Sequence, residues 1–173
     1  MTAEKKPGIV FTPIGMVHSP LKKPSGAPIQ AAAGKGLKAR VEVFPRYARG
    51  LNGLCGFSHI ILIYNFHLSA GYSLDVIPYM DTSARGVFAT RAPSRPNSIG
   101  FSVVKLKKIR KNILHVEDID ILDKTPLLDI KPYVPEFDSF KKAKTGWLTK
   151  NVHKLRAARD DGRFAAGKRK KNG

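Results

Sequence analysis

"GVFATRAPSRPNSIGFSVVKL", Gly86 to Leu106, joins two strand-like runs through a loop that cannot coil into a helix. Gly86 to Thr90 leads in, and Phe101 to Ile109 leads out. Between them Ala92 and Arg95 each precede a proline, which pushes both toward extended backbone. The same reading extends outward. Ile9 to Val17, Lys38 to Val43, Phe57 to Phe66, Ile113 to Glu117 and Ile119 to Leu122 also read as strands, and Ala39-Arg40-Val41-Glu42-Val43 alternates cleanly, so one face is wet. Stretches rich in Pro, Gly and Ser separate the runs. Strands so closely spaced, with no helices between them, favour an antiparallel barrel over a doubly wound sheet. The expected fold is mainly β (α+β), a small antiparallel β-barrel with a basic, partly helical C-terminal extension.

Leu148, Val152 and Leu155 fall at i, i+4 and i+7 of "LTKNVHKLRAA", which predicts a helix at about 148–158 followed by a disordered tail. The organisation read from the chain is a flexible N-terminus (1–8), a barrel domain (9–140) and a basic extension (141–173). Charge marks the last of these. The chain carries a net +18, and from residue 141 onward 12 Lys/Arg face only Asp160 and Asp161. Such a segment binds polyanions, nucleic acid foremost.

No apolar run approaches the roughly 20 residues of a membrane helix, and the polar Met1–Gly8 has no signal core. A single cysteine, Cys55, excludes an internal disulfide and a cysteine-cluster metal site; it reads as a small buried residue in a protein of the reducing cytoplasm.

"GKGLKA" (Gly34 to Ala39) has the glycine spacing of a dinucleotide loop, but a loop precedes it, a strand follows, and no acid stands about 20 residues on. His59 and His67 share a strand face without a third ligand at a usual spacing, so no metal is expected. The acids are less easily dismissed. Seven of 13 lie between Glu117 and Asp138, in "EDIDILDKTPLLDIKPYVPEFD", inside a strongly basic protein.

"PIGMVHSP", "GFSHIILIYNFH", the Gly86–Leu106 stretch and "LDKTPLLDIKPYVPEFD" occur in the order in which they stand in the TsaA-like (TrmO) family of tRNA methyltransferases, which the chain resembles over residues 9 to 140. The resemblance implies a β-barrel that binds S-adenosylmethionine without a Rossmann fold, a homodimer, and methylation of N6 of threonylcarbamoyladenosine next to the tRNA anticodon. Carried over motif by motif, the cofactor contacts are Gln30, Ala31 and Ala32, His67 and Leu68, Arg91, Phe101, and the run Asp120, Ile121, Leu122 and Asp123. Arg95, Asn97, Asp129, Lys131 and Tyr133 complete the substrate side. Two positions depart from the family pattern: Ser98 stands where it has proline, and Lys124 where it has glycine, the residue that enters positive φ freely.

The proline-bound loop fits that role physically. Pro93 and Pro96 lower its entropy before binding, and the forks of Arg91 and Arg95 can grip a carboxylate or phosphate. The acidic run suits an ammonium, ribose hydroxyls or a sulfonium. Asp123, His67 or Tyr133 could accept the N6 proton, and the sequence does not choose among them. Two other readings stand beside this one: a non-catalytic RNA-binding barrel, and a methyltransferase of the same fold with another acceptor.

Overall fold

The computed structural model describes residues 8–69 and 71–165, so most of the expected flexible N-terminus and the end of the expected disordered tail lie outside the described residues. Eight strands are present: Gly15–His18 (β1), Lys38–Val43 (β2), His59–Asn65 (β3), Asp75–Val76 (β4), Arg85–Gly86 (β5), Ile99–Arg110 (β6), Ile113–Glu117 (β7) and Thr125–Pro132 (β8). Six of them close a barrel in the order β1-β2-β7-β6-β3-β8, and every neighbouring pair is antiparallel. β4 and β5 form a separate two-stranded ribbon.

Strict alternation fills the barrel. Along β3, Ile60, Leu62 and Tyr64 point inward, and Val17, Val41, Val104, Leu114, Val116 and Leu127 meet them from the other strands. Each buried aliphatic side chain contributes roughly 1.5–3 kcal/mol, so this core holds the barrel shut and fixes strand register. A one-residue slip would turn all of it to water.

Several elements differ from the sequence reading. Of Ile9 to Val17, only the end enters a strand. Gly86 to Thr90 is not a strand: after β5 the chain makes a 3-10 turn at Val87–Ala89, and Val87 alone is buried. Ile119 to Leu122 runs unpaired. Ile119 and Ile121 instead plug one end of the barrel as part of its core. This crossing is bracketed by left-handed residues, Asp118 at φ 63° and Lys124 at φ 60°. At Asp118 the side chain compensates by accepting the Gly36 N–H at 2.7 Å. Lys124 adopts the glycine-like conformation regardless, held by its N–H bond to Val17 O, at a cost of about 1–2 kcal/mol. β8 then starts where only an extended segment was expected.

The helix expected at about 148–158 is two 3-10 turns, Gly146–Lys150 and Val152–Arg156, parted at Asn151. Local polar side chains compete with an α-helical ladder here: Thr149 Oγ1 donates to Gly146 O and Asn151 Nδ2 to Trp147 O. The extension is docked. It makes β-bridges from Arg159 to Pro28 and from Ala165 to Ser69, and Gly26 N–H and Ala27 O both bond the Asp160 backbone. Cys55, expected inside, is exposed on a short turn. Among the described residues no helix is long and apolar enough to cross a membrane.

Candidate active site

Several segments meet over the plugged end of the barrel around a cavity of about 700 Å³. Among them are the end of β3 with Phe66 to Ser69, the Phe88–Arg95 loop, the start of β6 at Ile99 to Phe101, Pro28 to Gln30, Pro78 to Met80, Asp120 to Leu122, and the docked extension. The volume falls within the range of about 300–1,000 Å³ usual for small-molecule sites.

Asp120 is the chemical centre of its polar wall. Ser102 Oγ donates to Asp120 Oδ1 at 2.6 Å and lies 3.0 Å from the Tyr64 hydroxyl. With its one proton committed to Asp120, Ser102 accepts from Tyr64. Burial pushes the Asp120 carboxyl up to about 6, against the Ser102 hydrogen bond, the Arg91 charge and the Ala31 N–H, which favour the carboxylate. Burial also raises the Tyr64 phenol. Gly100, which pairs with Tyr64 across β6 and β3, leaves room for this network. A β-carbon there would stand 2.5 Å from the Tyr64 ring and 2.7 Å from Phe66.

In the same cavity the Arg91 guanidinium lies 4.7 Å over the Phe101 ring, and its Nη1 donates to Gln30 Oε1 at 2.7 Å. Arg95 Nη1 ties the proline loop to itself through Thr90 O and Ala92 O, both at 3.1 Å. His67 Nδ1 is 3.3 Å from Thr125 Oγ1, and partial burial lowers its pKa, so the ring is neutral near pH 7.

The residues anticipated from sequence divide cleanly. Gln30, His67, Leu68, Arg91, Arg95, Phe101, Asp120, Ile121 and Leu122 line the cavity. Ala31 and Ala32 lie in the 3-10 turn behind it, where Ala31 offers its N–H to Asp120. Asp123 does not face the cavity. It stands in the turn that carries Lys124 at positive φ, and its side chain points away toward Ser19 and Lys22. There its carboxylate accepts the Ser19 N–H and pairs with Lys22 at 2.7 Å, and those bonds hold its pKa low. Asn97 is an exposed turn residue whose carbonyl accepts the Ile99 N–H.

Asp129, Lys131 and Tyr133 lie toward the far end of β8. Asp129 and Lys131 pair with each other at 2.7 Å, and Tyr133 stands edge-on to His59. Eight residues of strand separate Tyr133 from Thr125, about 26 Å at 3.3 Å per residue. Of the three expected proton acceptors, His67 lines the cavity, and Asp123 and Tyr133 do not.

Tyr64, Ser102 and Thr125 were not anticipated. Their signal was present: polar groups at inward positions of otherwise apolar strands. Trp147, Leu148, Val152, Leu155 and Phe164 were also missed as cavity residues, because they lie beyond the motifs. The rejected "GKGLKA" has a structural explanation. A β-carbon at Gly34 would collide with the Ile119 carbonyl, and Gly36 turns the chain at φ 81°.

Comparison with known proteins adds a family. A model described as the tRNA-methyltransferase O N-terminal domain matches residues 16–139. A probable S-adenosyl-L-methionine-binding protein of Pyrococcus abyssi is 59% identical over 156 residues, 90% of this chain and 85% of its own. A tRNA (adenine(37)-N6)-methyltransferase of Mus musculus is 36% identical across 86% of this chain, which spans 36% of that protein. The crystal structure of TrmO from Pseudomonas aeruginosa superposes with a TM-score of 0.69 at 35% identity, covering 82% of this chain and 63% of that one.

Proposed function

Because the chain belongs to the tRNA-methyltransferase O family, we propose that its cavity holds S-adenosylmethionine and methylates N6 of threonylcarbamoyladenosine in tRNA. The observation that carries this reading is a single cavity lined by both the Asp120 carboxyl and the Arg91 guanidinium, which lies over Phe101. Together they suit a zwitterion attached to a flat base. Arg91 offers free guanidinium N–H groups to a carboxylate. Asp120, linked to Ser102 and Tyr64, suits an ammonium or ribose hydroxyls, and the Phe101, Phe88 and Trp147 rings supply flat apolar surface. When bound, S-adenosylmethionine supplies a sulfonium methyl group, so the bond to N6 forms as the bond to sulfur breaks and leaves its electron pair there.

The chain's own residues position and deprotonate. With Nδ1 donating to Thr125, His67 keeps Nε2 as a neutral acceptor for the N6 proton, and its lowered pKa keeps that lone pair free. A carbamoyl substituent makes the N6 proton easier to lose. Cations outside the cavity suit the tRNA backbone. Arg40 and Lys108 stand in register on either side of His115, on neighbouring strands β2, β7 and β6.

A second copy of the chain belongs to the same reading. Ile61, Ile63 and Val103 face outward on β3 and β6, an apolar patch suited to a homodimer. Light scattering should give twice the chain mass, and a monomer at all working concentrations would remove this element. Function is tested with methyl-labelled S-adenosylmethionine and tRNA. Label should enter the RNA, and His67→Ala should cut the rate about a hundredfold. Arg91→Ala should weaken cofactor binding by about 1.5–3 kcal/mol. No label in tRNA with the intact protein refutes the activity.

A further inference from the structure

The C-terminal extension has two chemically different faces, and the cavity uses one of them. On the inner side, Trp147, Leu148, Val152, Leu155 and Phe164 line the cavity. Trp147 is fixed by an Nε1–H bond to Ala89 O at 2.8 Å, and the Arg85 guanidinium lies over its ring. The second 3-10 turn packs beside Ala31–Ala33, the turn that offers an N–H to Asp120. On the outer side, Lys150, Lys154, Arg156 and Arg159 are exposed, and none of them is within 4 Å of a carboxylate among the described residues. These outer cations alternate with the inner apolar residues along the same two short turns.

The seam beneath this segment is incompletely satisfied. The Tyr79 hydroxyl, buried edge-on to Phe164, has no hydrogen-bond partner among the described residues. Burial and then the nearby Asp160 carboxyl raise the Tyr79 phenol, and a slight shift of the segment that carries Asp160 would supply the bond.

We propose that residues 146–165 form a two-faced strap: the outer face takes RNA phosphates, the inner face is a wall of the cofactor cavity, and so the two ligands tighten each other's binding. This rests on the cofactor and tRNA reading above and adds the surface that joins them. Phosphates held by Lys150, Lys154 and Arg156 restrict the same backbone that positions Trp147 and Leu155, so RNA favours the state in which the cavity is closed. Linkage then requires the effect to be reciprocal.

The test uses the full chain, unfractionated tRNA and S-adenosylhomocysteine as a non-reacting probe. Saturating tRNA should tighten S-adenosylhomocysteine binding about fivefold or more, and the probe should tighten tRNA binding by the same factor. Trp147→Ala should loosen the probe about fivefold or more, and Leu155→Ala, which breaks no hydrogen bond, should do the same if Trp147→Ala perturbs folding. Changing Lys150, Lys154 and Arg156 together to Gln should lower the salt slope of tRNA binding by about 2 and bring the coupling toward one. A coupling factor of one in the unaltered protein overturns the strap, as does probe affinity unchanged in folded Trp147→Ala and Leu155→Ala variants. An unaltered protein that binds neither S-adenosylmethionine nor its product would instead defeat the proposed function. A protein that methylates tRNA with no coupling would defeat only the strap.

Discussion

Asp120→Asn is expected to stabilise the protein at pH 8 while weakening S-adenosylmethionine binding about tenfold or more. The two effects have one cause. Burial raises the Asp120 carboxyl from 3.8 to about 6, so the folded state holds the proton more tightly than the unfolded chain does. Its contribution to stability is full below about pH 4 and is lost as pH rises through about 6. At pH 8 the folded protein carries the whole cost of an ionised, poorly solvated carboxylate. At 1.36 kcal/mol per pKa unit this is at most about 3 kcal/mol, and access to solvent through the cavity reduces it.

Asparagine still accepts the Ser102 hydroxyl bond and has no charge to bury, but it cannot pair with an ammonium. Loss of a hydrogen bond to a charged group is worth about 1.5–3 kcal/mol of affinity, which sets the tenfold scale. Stability bought at the expense of function is common where a site is built from unfavourable groups. Thermal unfolding at pH 4 and pH 8, with calorimetry beside it, checks both halves. A variant less stable at pH 8 with unchanged cofactor affinity would make Asp120 a structural residue.

Much of the barrel is legible from alternation, and the places where it is not have physical explanations. β2 and β7 keep the sequence-predicted boundaries because each alternates without interruption and ends at a turn. Ile119 to Leu122 alternates equally well, yet its isoleucines plug a barrel end instead of joining a ladder. Alternation reports which side is dry, not whether a strand lies alongside. Residues 86–90 failed similarly: a short apolar run before a proline loop is also what a 3-10 turn looks like.

At the site, motif order brought together Gln30, His67, Arg91, Phe101 and Asp120, but it could not say which way each carboxylate points. Asp120 lies on the extended crossing and bonds Ser102, whereas Asp123 lies in the turn that follows and caps Ser19. The docked extension was illegible for another reason. Its helical spacing correctly marked Leu148, Val152 and Leu155 as one face, but nothing local revealed that this face closes a cavity formed by distant residues from Pro24 to Thr125.

The second large effect concerns the acceptor. tRNA bearing threonylcarbamoyladenosine should be methylated far faster than the same tRNA with plain adenosine there. The plain base has a less acidic N6 proton for His67 to remove. It also lacks the carboxylate that we propose Arg95 holds: one Arg95 nitrogen ties the loop through Thr90 O and Ala92 O, which fixes the direction of the rest of the fork. A site built around a charged group discriminates strongly against a substrate without it, because its own partner is left unpaired. Arg95→Lys keeps the charge but loses both the fork and the loop ties, so its activity should fall well below that of the parent.

Mass spectrometry of nucleosides released from tRNA after reaction with S-adenosylmethionine tests the central claim most directly. The predicted result is threonylcarbamoyladenosine heavier by one methyl group, placed on N6 by fragmentation, with little change in plain adenosine. An equal yield on plain adenosine would contradict recognition of the carboxylate, and no methylated adenosine in either tRNA, from protein that binds the cofactor, would contradict the assigned reaction.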